Sequence, residues 1–388
     1  MKTWQNKNEE KMNSSVQTTK QKRIPVAVKK YFWLPVITSL TLVVVAISVA
    51  SGWKASQPAA GNIPMAPQFK YDEAYSFRDG LAPVKLNGKY GFIDKTGSEV
   101  IPLIYEGAST FSEGLAVVKT NGKYGFIDKK GKLVIPAKFE DAGRLFEGLA
   151  LIGLNGKYGY IDKTGKEVVA PKYDYASRFS EGLAAVKSAG KYGYIDKTGA
   201  EKIPFRYDEA HEFSDSIARI YAVDPRVKNW GFIDKTGRWV IPPTFDQVNN
   251  FSNGRARVRS VEGKYGYVDK AGKYKIELKY QHASDFSEQL APVAMSDYGK
   301  WSFIDTTGKE VVALSMDGRD GDVRAIADGL AMLVLYSGWK YGFVDKAGKE
   351  VIPPAYEDAF DFSEGFAAVK LNGKWGFIDK AGKEIGQH

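Results

Sequence analysis

The sequence predicts an all-β repeat array, arranged as an open solenoid of β-hairpins or β-meanders and preceded by one transmembrane helix. Three observations predict it: a recurring aromatic–Gly step, three short strand patterns in each repeat, and one long apolar segment near the N-terminus. The step recurs nine times at intervals of 34 to 40 residues, and such a period is the signature of a repeat architecture. Its aromatic residues are Tyr90, Tyr124, Tyr158, Tyr192, Trp230, Tyr265, Trp301 (followed by Ser302), Tyr341 and Trp375.

Residues 114–136 illustrate one of the nine units of about 34 residues. A β-branched run at 115–119 ends at Asn121-Gly122, the residue pair that a two-residue type I′ hairpin requires. A second strand follows at 123–128, and a third at 132–136 is stopped by its proline. Each unit is therefore predicted to be a three-stranded meander joined to the next by a connector.

The connector and the strand glycine both predict close packing between neighbours. Gly125 interrupts a strand, as its equivalents do, which predicts that a ring or a backbone passes close over its Cα. The connector aromatics Phe139 and Phe146 are expected to fill the gap between successive units. One unit buries too little surface to stand alone, so neighbours must stack.

The stacked units could form an open solenoid or a closed β-propeller. Nine blades exceed the usual range of about 4–8, and about 34 residues is short for a blade. The array begins with a connector at 69–80 and finishes on a third strand at 383–385, so no blade appears divided between its two ends. We therefore expect the open solenoid, with the propeller as the alternative.

Residues 1–53 predict a membrane anchor. Residues 1–30 form a basic cytoplasmic tail, 31–53 a transmembrane signal-anchor helix, 54–68 a Pro- and Ala-containing linker, and 69–388 the domain of nine repeats. The apolar segment is uncharged over 32–52 and has Trp33 and Trp53 at its ends. Basic residues precede it, so the positive-inside rule places the repeats outside a single-pass cell-membrane protein. The alternative is a signal peptide cleaved near Ala50, which would give a secreted protein.

Charge and composition exclude several classes of function. The net charge of +9 lies mostly in the first 54 residues, which hold nine Lys and Arg against two Glu. The repeats are nearly neutral, which argues against a nucleic-acid partner. There is no Cys, so disulfides, thiolate nucleophiles and Cys-based metal sites are excluded.

The repeats carry the motif Lys-Tyr/Trp-Gly-Phe/Tyr-Ile-Asp-Lys-x-Gly-Lys-Glu-Val-Ile-Pro, as at 340–353, and Phe-Ser-Glu-Gly-Leu-Ala, as at 179–184. In these motifs the chain resembles the WG-repeat (also KWG-repeat) family, common in bacteria. The resemblance implies a repeat domain and no particular chemistry. The aromatic–Gly hairpins also look like those of cell-wall-binding repeats, which grip sugars between hairpins.

Repeated polar residues have a structural interpretation as well as a functional one. An Asp ends the middle strand of every unit, and we interpret it as the acceptor of an Asx-type turn rather than as part of a cation-binding column. The nine residues are Asp94, Asp128, Asp162, Asp196, Asp234, Asp269, Asp305, Asp345 and Asp379. The acidic segment 317–322 could chelate Ca²⁺, but its spacing is not that of an EF-hand and predicts a solvated loop.

No catalytic motif is present, so we expect no cofactor, no metal and no enzymatic activity. His211, His282 and His388 have no metal-ligand spacing. A cleft that gathers two carboxylates, or a carboxylate with His211 or His282, would instead indicate a hydrolase.

Insertions in repeat proteins often fall on the binding face, and the longest here are 221–229, 295–300 and 315–324. The alternating arginines of 255–259 could contact an anionic ligand. The candidate ligand contacts are Trp230, Trp301, Trp375, Tyr221, Tyr298, Arg255, Arg257 and Arg259. The predicted function is a non-enzymatic, extracytoplasmic protein-interaction scaffold for a cell-envelope protein. The alternative is a module that binds cell-wall polysaccharide through exposed aromatic rings.

The topology prediction can be tested with protease. Protease added to intact cells or protoplasts should remove the repeats and leave a protected N-terminal tail, because only the repeats are predicted to lie outside. An immunoblot against each part measures this. Recovery of full-length protein in the soluble cytosol would contradict the predicted anchor.

Overall fold

The computed structural model describes residues 69–224 and 227–386, without the side chains of 222–224, 227 and 228. All described residues belong to one compact unit. The predicted tail (1–30), transmembrane helix (31–53) and linker (54–68) lie outside them. Within the described residues, no helix has the length and apolar character to cross a bilayer.

The described residues form nine antiparallel sheets, here called blades 1 to 9, whose strands follow chain order. Blades 1 to 3 contain β1 (Glu73–Ala74), β2 (Leu81–Leu86), β3 (Lys89–Asp94), β4 (Glu99–Tyr105); β5 (Gly107–Ala108), β6 (Leu115–Thr120), β7 (Lys123–Asp128), β8 (Leu133–Phe139); β9 (Asp141–Phe146), β10 (Leu149–Leu154), β11 (Lys157–Asp162) and β12 (Glu167–Tyr173). Blades 4 to 6 contain β13 (Tyr175–Ala176), β14 (Leu183–Ser188), β15 (Lys191–Asp196), β16 (Glu201–Tyr207); β17 (Glu209–Ala210), β18 (Ile217–Asp224), β19 (Val227–Asp234), β20 (Trp239–Phe245); β21 (Gln247–Val248), β22 (Ala256–Arg259), β23 (Tyr265–Val268) and β24 (Tyr274–Tyr280). Blades 7 to 9 contain β25 (His282–Ala283), β26 (Leu290–Ala294), β27 (Lys300–Asp305), β28 (Glu310–Asp317); β29 (Gly321–Ala327), β30 (Leu330–Leu335), β31 (Lys340–Asp345), β32 (Glu350–Tyr356); β33 (Asp358–Ala359), β34 (Phe366–Leu371) and β35 (Lys374–Asp379).

The prediction of three strands per unit was one strand short. The connector supplies a short inner strand, such as β1, in which Glu73 pairs with Lys85 and Ala74 with Val84. Only two residues form it in most blades, too few for an alternation pattern to reveal. The connector aromatic that follows it is buried between blades: the Phe111 ring lies 4.9 Å from that of Phe92 in the preceding blade.

The predicted open solenoid is wrong, because the array closes on itself as a nine-bladed β-propeller. The outer strand of blade 9 is assembled from both ends of the repeat domain. Glu384 pairs with Ile378 at one end of this outer strand, and Tyr71 pairs with Trp375 at its other end. Two backbone hydrogen bonds hold the second bridge, Tyr71 N to Trp375 O at 3.2 Å and Trp375 N to Tyr71 O at 2.8 Å. One blade is therefore divided between the ends after all.

The hydrophobic core consists of nine clusters in the described residues, each between two adjacent blades. The cluster at the closure joins Phe77 of blade 1 to Phe377 of blade 9, with ring centroids 5.0 Å apart. This contact matches the Phe92–Phe111 contact between blades 1 and 2. The closing interface is therefore built like an internal one.

Because each blade is an antiparallel meander, its connections alternate between two ends of the sheet. The turn face carries the turns between first and second strands, such as Asp79-Gly80, and those between third and fourth strands, such as residues 94–97. The hairpin face carries the hairpins between second and third strands, such as Asn87-Gly88, and the connections between blades.

A continuous set of hydrogen bonds, here called the inter-blade ring, runs around the turn face. In each blade a residue with positive φ, between 48° and 56°, accepts a backbone N–H from the following blade at 2.6 to 3.1 Å. The last bond runs from Gly80 to Glu364 and completes the circle. The acceptors are Asp79, Glu113, Glu147, Glu181, Asp215, Asn253, Glu288, Asp328 and Glu364.

Five of these carboxylates also pair with a lysine of the following blade at 2.7 to 3.1 Å, as in Lys346–Glu288. The hydrogen bond from Lys346 holds the pKa of Glu288 below its ordinary value. At the one position where the acceptor is the neutral Asn253, the following blade has Thr306 in place of the lysine. The negative charge of the acceptor and the positive charge of its partner are therefore absent at the same position.

The predicted turn chemistry is confirmed. Asn87 and Gly88 both have positive φ, 51° and 79°, as a type I′ hairpin requires. Asp94 Oδ1 accepts the backbone N–H groups of Thr96 and Ser98 at 2.9 and 3.1 Å. The same pair of bonds forms at all nine repeated Asp residues.

The strand glycine is explained by a bulge in the outer strand. A Cβ on Gly91 would lie 2.5 Å from the Ile101 carbonyl oxygen and 2.7 Å from the Pro102 carbonyl carbon. In blade 7 the register differs: Ser302 pairs with Ala313, whereas in blade 1 the pairing passes from Tyr90 to Phe92 across the bulge. A side chain is tolerated at Ser302 because the bulge does not press on it there.

Closure predicts an unequal cost for removing two tyrosines. Tyr71→Ala should lower the free energy of unfolding by about 3 kcal/mol, because its side chain is only 6% exposed in the closing interface. Tyr175→Ala, at a residue that is 46% exposed in blade 4, should cost clearly less. Denaturant unfolding of both variants measures the difference. Equal costs would contradict a closed ring.

Candidate ligand-binding site

The irregular loops of blades 7 and 8 come together on the hairpin face. The hairpin of residues 295–299 touches the connection that follows β28, since Gly318 N donates to Gly299 O at 3.0 Å. The same connection meets the next hairpin, where Tyr336 N donates to Asp320 O at 2.8 Å. Three loops that the repeat pattern does not require therefore form one continuous surface.

This loop surface, defined by Met295, Tyr298, Arg319, Tyr336 and Trp339, exposes large side chains. Tyr298 is 73% exposed and Trp339 is 61% exposed. The Arg319 guanidinium lies 4.7 Å from the centre of the Tyr298 ring. These side chains project from loops that no repeated contact holds, so packing does not account for them.

Next to the loop surface is a cavity of about 370 Å³, lined by the second and third strands of blade 6 and by residues of blades 7 and 8. Its wall combines aromatic and charged side chains, and Trp339 belongs to both the cavity and the loop surface. The principal lining residues are Arg257, Tyr265, His282, Trp301, Asp322, Arg324, Trp339 and Tyr341.

Contacts between blades fix the aromatic part of the wall. Trp301 is 2% exposed, and its Nε1 donates to the Gly321 carbonyl at 3.0 Å. His282 lies against it, with ring centroids 5.8 Å apart. Trp301 therefore offers the cavity only an edge, while Trp339 presents an open ring.

Two charged groups in the wall, those of Arg257 and Asp322, have fixed partners. Arg257 donates to the Ala283 carbonyl and lies 3.1 Å from Asp285 Oδ1 through its Nε. Asp322 accepts the Tyr336 hydroxyl, and burial together with this bond raises the pKa of Tyr336 to about 12. The cavity is thus lined by polar groups in fixed positions, as binding sites for oriented ligands are.

The cavity also brings His282 next to a carboxylate, the arrangement that would indicate a hydrolase. His282 Nε2 lies 2.8 Å from Asp297 Oδ1, on the 295–299 hairpin. The nearby hydroxyl of Ser284 donates to the Val323 carbonyl at 3.0 Å rather than to His282. A nucleophile, base and orienting group in mutual contact are therefore not assembled by these three residues.

Of the predicted contact residues, Trp301 and Arg257 lie in the cavity wall and Tyr298 on the loop surface. Trp375 is 8% exposed and packs on Phe360, with ring centroids 5.4 Å apart, in the closing interface. Its position in the core leaves it little surface for a ligand.

The remaining predicted residues lie elsewhere. Trp230 is half-buried between the rings of His211 and Tyr221, at 5.4 and 5.2 Å. Arg255 Nε donates to the Thr306 carbonyl at 3.0 Å on the turn face. Arg259 lies over the Tyr265 ring at 5.5 Å.

Sequence reasoning missed Trp339, and it included Asp322 and Arg324 only as part of the insertion 315–324. The signal for them was the longest interval between aromatic–Gly steps, the 40 residues from Trp301 to Tyr341. In the acidic segment 317–322, Asp317 Oδ1 accepts the backbone N–H groups of Arg319 and Asp320 at 3.0 and 3.2 Å. Across the described residues, no cluster of three or more His, Asp or Glu side chains could hold a metal ion.

A closed ring of repeated blades with irregular loops on one face defines a repeat β-propeller. The chain belongs to the WG containing repeat family, whose model matches residues 68–90, 90–124, 124–158, 158–192, 192–221, 230–265, 265–298 and 341–375. The segment 299–340, which supplies most of the loop surface and part of the cavity, falls between two of these matches.

A search of curated proteins finds no significant match. Among solved structures, the computationally designed Ika8 protein is similar with a TM-score of 0.45 and 15% identity, over 70% of this chain and 95% of that one. BamB from Moraxella catarrhalis has a TM-score of 0.40 and 13% identity, over 73% and 93% of the two chains. Hsv2 from Kluyvelomyces marxianus has a TM-score of 0.39 and 9% identity, over 82% and 99%. Scores below 0.5 carry no argument about function.

The pKa of His211 provides a test of the packing around Trp230. Burial, assisted by the positive charge of Arg219, lowers the pKa of His211 to about 4. Since the folded pKa lies below the unfolded value near 6.5, the neutral ring favours folding at neutral pH. That contribution is lost as pH falls from about 6.5 towards 4.

Histidine NMR titration should therefore show one ring signal that titrates far below the ordinary range. Arg219→Met should move that signal upwards, because a neighbouring positive charge is removed. Arg238→Met, which changes an exposed arginine in a turn of the same blade, should leave it unchanged. A His211 signal that titrates near 6.5 in the wild-type protein would contradict this environment.

Proposed function

We propose that this protein is a non-enzymatic, membrane-anchored scaffold that captures a protein partner on the loop surface. One observation supports the proposal above others: the tryptophans of the repeat are packed between strands, whereas the two most exposed rings lie in irregular loops. Trp301 and Trp375 are buried, while Tyr298 and Trp339 are open to solvent. A repeat that binds sugar would expose its own rings, such as those of Trp301 and Trp375.

The composition of the loop surface fits a protein partner. Trp, Tyr, Met and Arg are the residue types enriched in protein–protein contacts and in their energetic hot spots. Trp339 and Tyr336 stand together, with ring centroids 5.4 Å apart, and Arg319 covers Tyr298. We infer that Trp339 is the central anchor, because it lies where the loop surface meets the cavity.

Carbohydrate binding is the second candidate, and the cavity is the observation that favours it. An open indole face at Trp339 beside Asp322 and Arg324 combines a stacking surface with hydrogen-bonding groups. The proposal ranks below the first because a single exposed ring, rather than a repeated series, would stack on the sugar.

The envelope location of the scaffold is part of the same proposal. It is supported by the uncharged segment 32–52 and by the basic residues that precede it. The absence of enzymatic activity is likewise proposed, since His282 and Asp297 pair with each other while Ser284 is bonded elsewhere.

The proposal is tested by retention of purified, detergent-solubilised protein on two matrices, envelope protein and protein-free cell wall. The double change Tyr298→Ala, Trp339→Ala should reduce capture of the envelope partner at least tenfold, because hot-spot aromatics contribute about 2 kcal/mol or more each. Trp239→Ala, which removes an exposed tryptophan from the outer strand of blade 5, should retain full capture.

Two results would overturn the scaffold. Equal capture by the loop-surface variant would show that the partner binds elsewhere. Tight retention on protein-free wall that is lost in the same variant would instead support the carbohydrate candidate. Circular dichroism and thermal unfolding of each variant establish that the fold is retained.

A further inference from the structure

A second cluster of irregular residues lies in blades 1 to 4, away from the loop surface. The residue two positions after the last core residue of each inner strand varies around the ring, and it is arginine only in blades 3 and 4 among the described blades. In chain order these residues are Ser76, Thr110, Arg144, Arg178, Glu212, Asn250, Asp285, Ala325 and Asp361. They lie within or just after the inner strands, which surround the axis of the propeller.

The two arginines contact the same aromatic ring. Arg144 Nη1 donates to Thr110 Oγ1 at 2.7 Å, and its guanidinium lies 5.3 Å from the Phe146 ring. The Arg178 guanidinium lies 4.5 Å from the same ring. Arg178 Nε is 3.3 Å from Glu212 Oε1. Two cations thus meet over one aromatic ring.

A third arginine joins them through a second departure from the repeat. Most blades have Ser two residues after this position, and in four of them its hydroxyl donates to a carbonyl of the next blade, as Ser112 does to Leu145 at 2.6 Å. Blade 1 has Arg78 there and blade 3 has Phe146, so both give up that bond. Burial lowers the pKa of Arg144, and the charges of Arg78 and Arg178 lower it further.

An anion would relieve the repulsion within this cluster. Like charges at close range repel, and Arg144 is partly buried, which weakens screening by solvent. Glu212 is the one carboxylate paired with it in the described part of the chain, which leaves two of the three positive charges uncompensated. A phosphate group carries about two negative charges at neutral pH and accepts the forked N–H groups of guanidinium.

We propose that Arg78, Arg144 and Arg178 form a binding site for a phosphate group, carried by a small molecule that enters the axial opening of the propeller. Arg144 is the central ligand, because Thr110 orients it and the two other cations flank it. The Phe146 ring packs against both guanidiniums, and each guanidinium keeps N–H groups beyond those that bond to Thr110 and Glu212. This inference is independent of the proposed scaffold function, which depends on blades 6 to 8.

The test is calorimetric titration of full-length protein with inorganic phosphate at constant ionic strength. Saturable binding is expected, and Arg144→Met should weaken it about tenfold, since a charge-assisted hydrogen bond contributes about 1.5–3 kcal/mol. The phosphate affinity of Arg144→Lys should fall between those of the wild-type protein and Arg144→Met, because lysine keeps the charge without the forked N–H groups. Arg238→Met, at an exposed arginine outside the cluster, should bind phosphate as the wild-type protein does.

Arginine Nε–H NMR signals of the wild-type protein make the test independent of any variant that fails to fold. Phosphate should shift the signals of Arg78, Arg144 and Arg178 and leave that of Arg238 in place. Absence of saturation, equal weakening by Arg238→Met, or shifts spread over all arginines would overturn the site. Binding of citrate without binding of phosphate would overturn the assignment to phosphate.

Discussion

The structure depends on one hydrogen-bonded contact between neighbouring blades, which is repeated nine times and closes into a ring. A carboxylate, or Asn253, on the turn face of one blade accepts a backbone N–H from the next. The accepting residue has a left-handed backbone, which costs an L-residue roughly 1–2 kcal/mol. That cost is offset by the hydrogen bond and the lysine pair, so each turn is held in place by its neighbour. The exchange of carboxylate and lysine for Asn253 and Thr306 shows that the two partners act as a unit.

Closure changes what the repeated residues can do. In an open array the first and last units would each expose an apolar face, whereas here Phe77 and Phe377 meet like any internal pair. Repeated aromatics are therefore packed between strands or between blades, and of these Tyr265, Trp301 and Tyr341 also line the cavity. The other residues free to bind are those that depart from the repeat, and the departures fall in two groups, the loop surface with its cavity and the arginine cluster.

Much of a single blade could be predicted from sequence, because its determinants are local. Asn87-Gly88 specifies a hairpin, Asp94 specifies a turn, and Gly91 signals a close backbone, whatever the neighbours do. The closure could not be predicted in the same way. It rests on Tyr71 and Glu384, which complete one strand from opposite ends of the domain and resemble fragments of two different strands when read in order. The site was predicted in part: Arg257, Trp301 and Tyr298 belong to it, but Arg324 and Trp339 come from the segment where the repeat pattern fails.

The two groups of departures differ in chemistry because they occupy different parts of the blade. The loop surface lies at hairpin tips and between blades, where residues such as Tyr298 can be inserted without disturbing a strand pair. The arginine cluster lies within or just after the inner strands, where the repeat is kept in register and the side chain varies. Insertion can build a broad apolar surface, while substitution can only change charge and shape around a narrow axis. A ring of equal blades therefore separates extensive contacts at its face from compact, charged contacts along its axis.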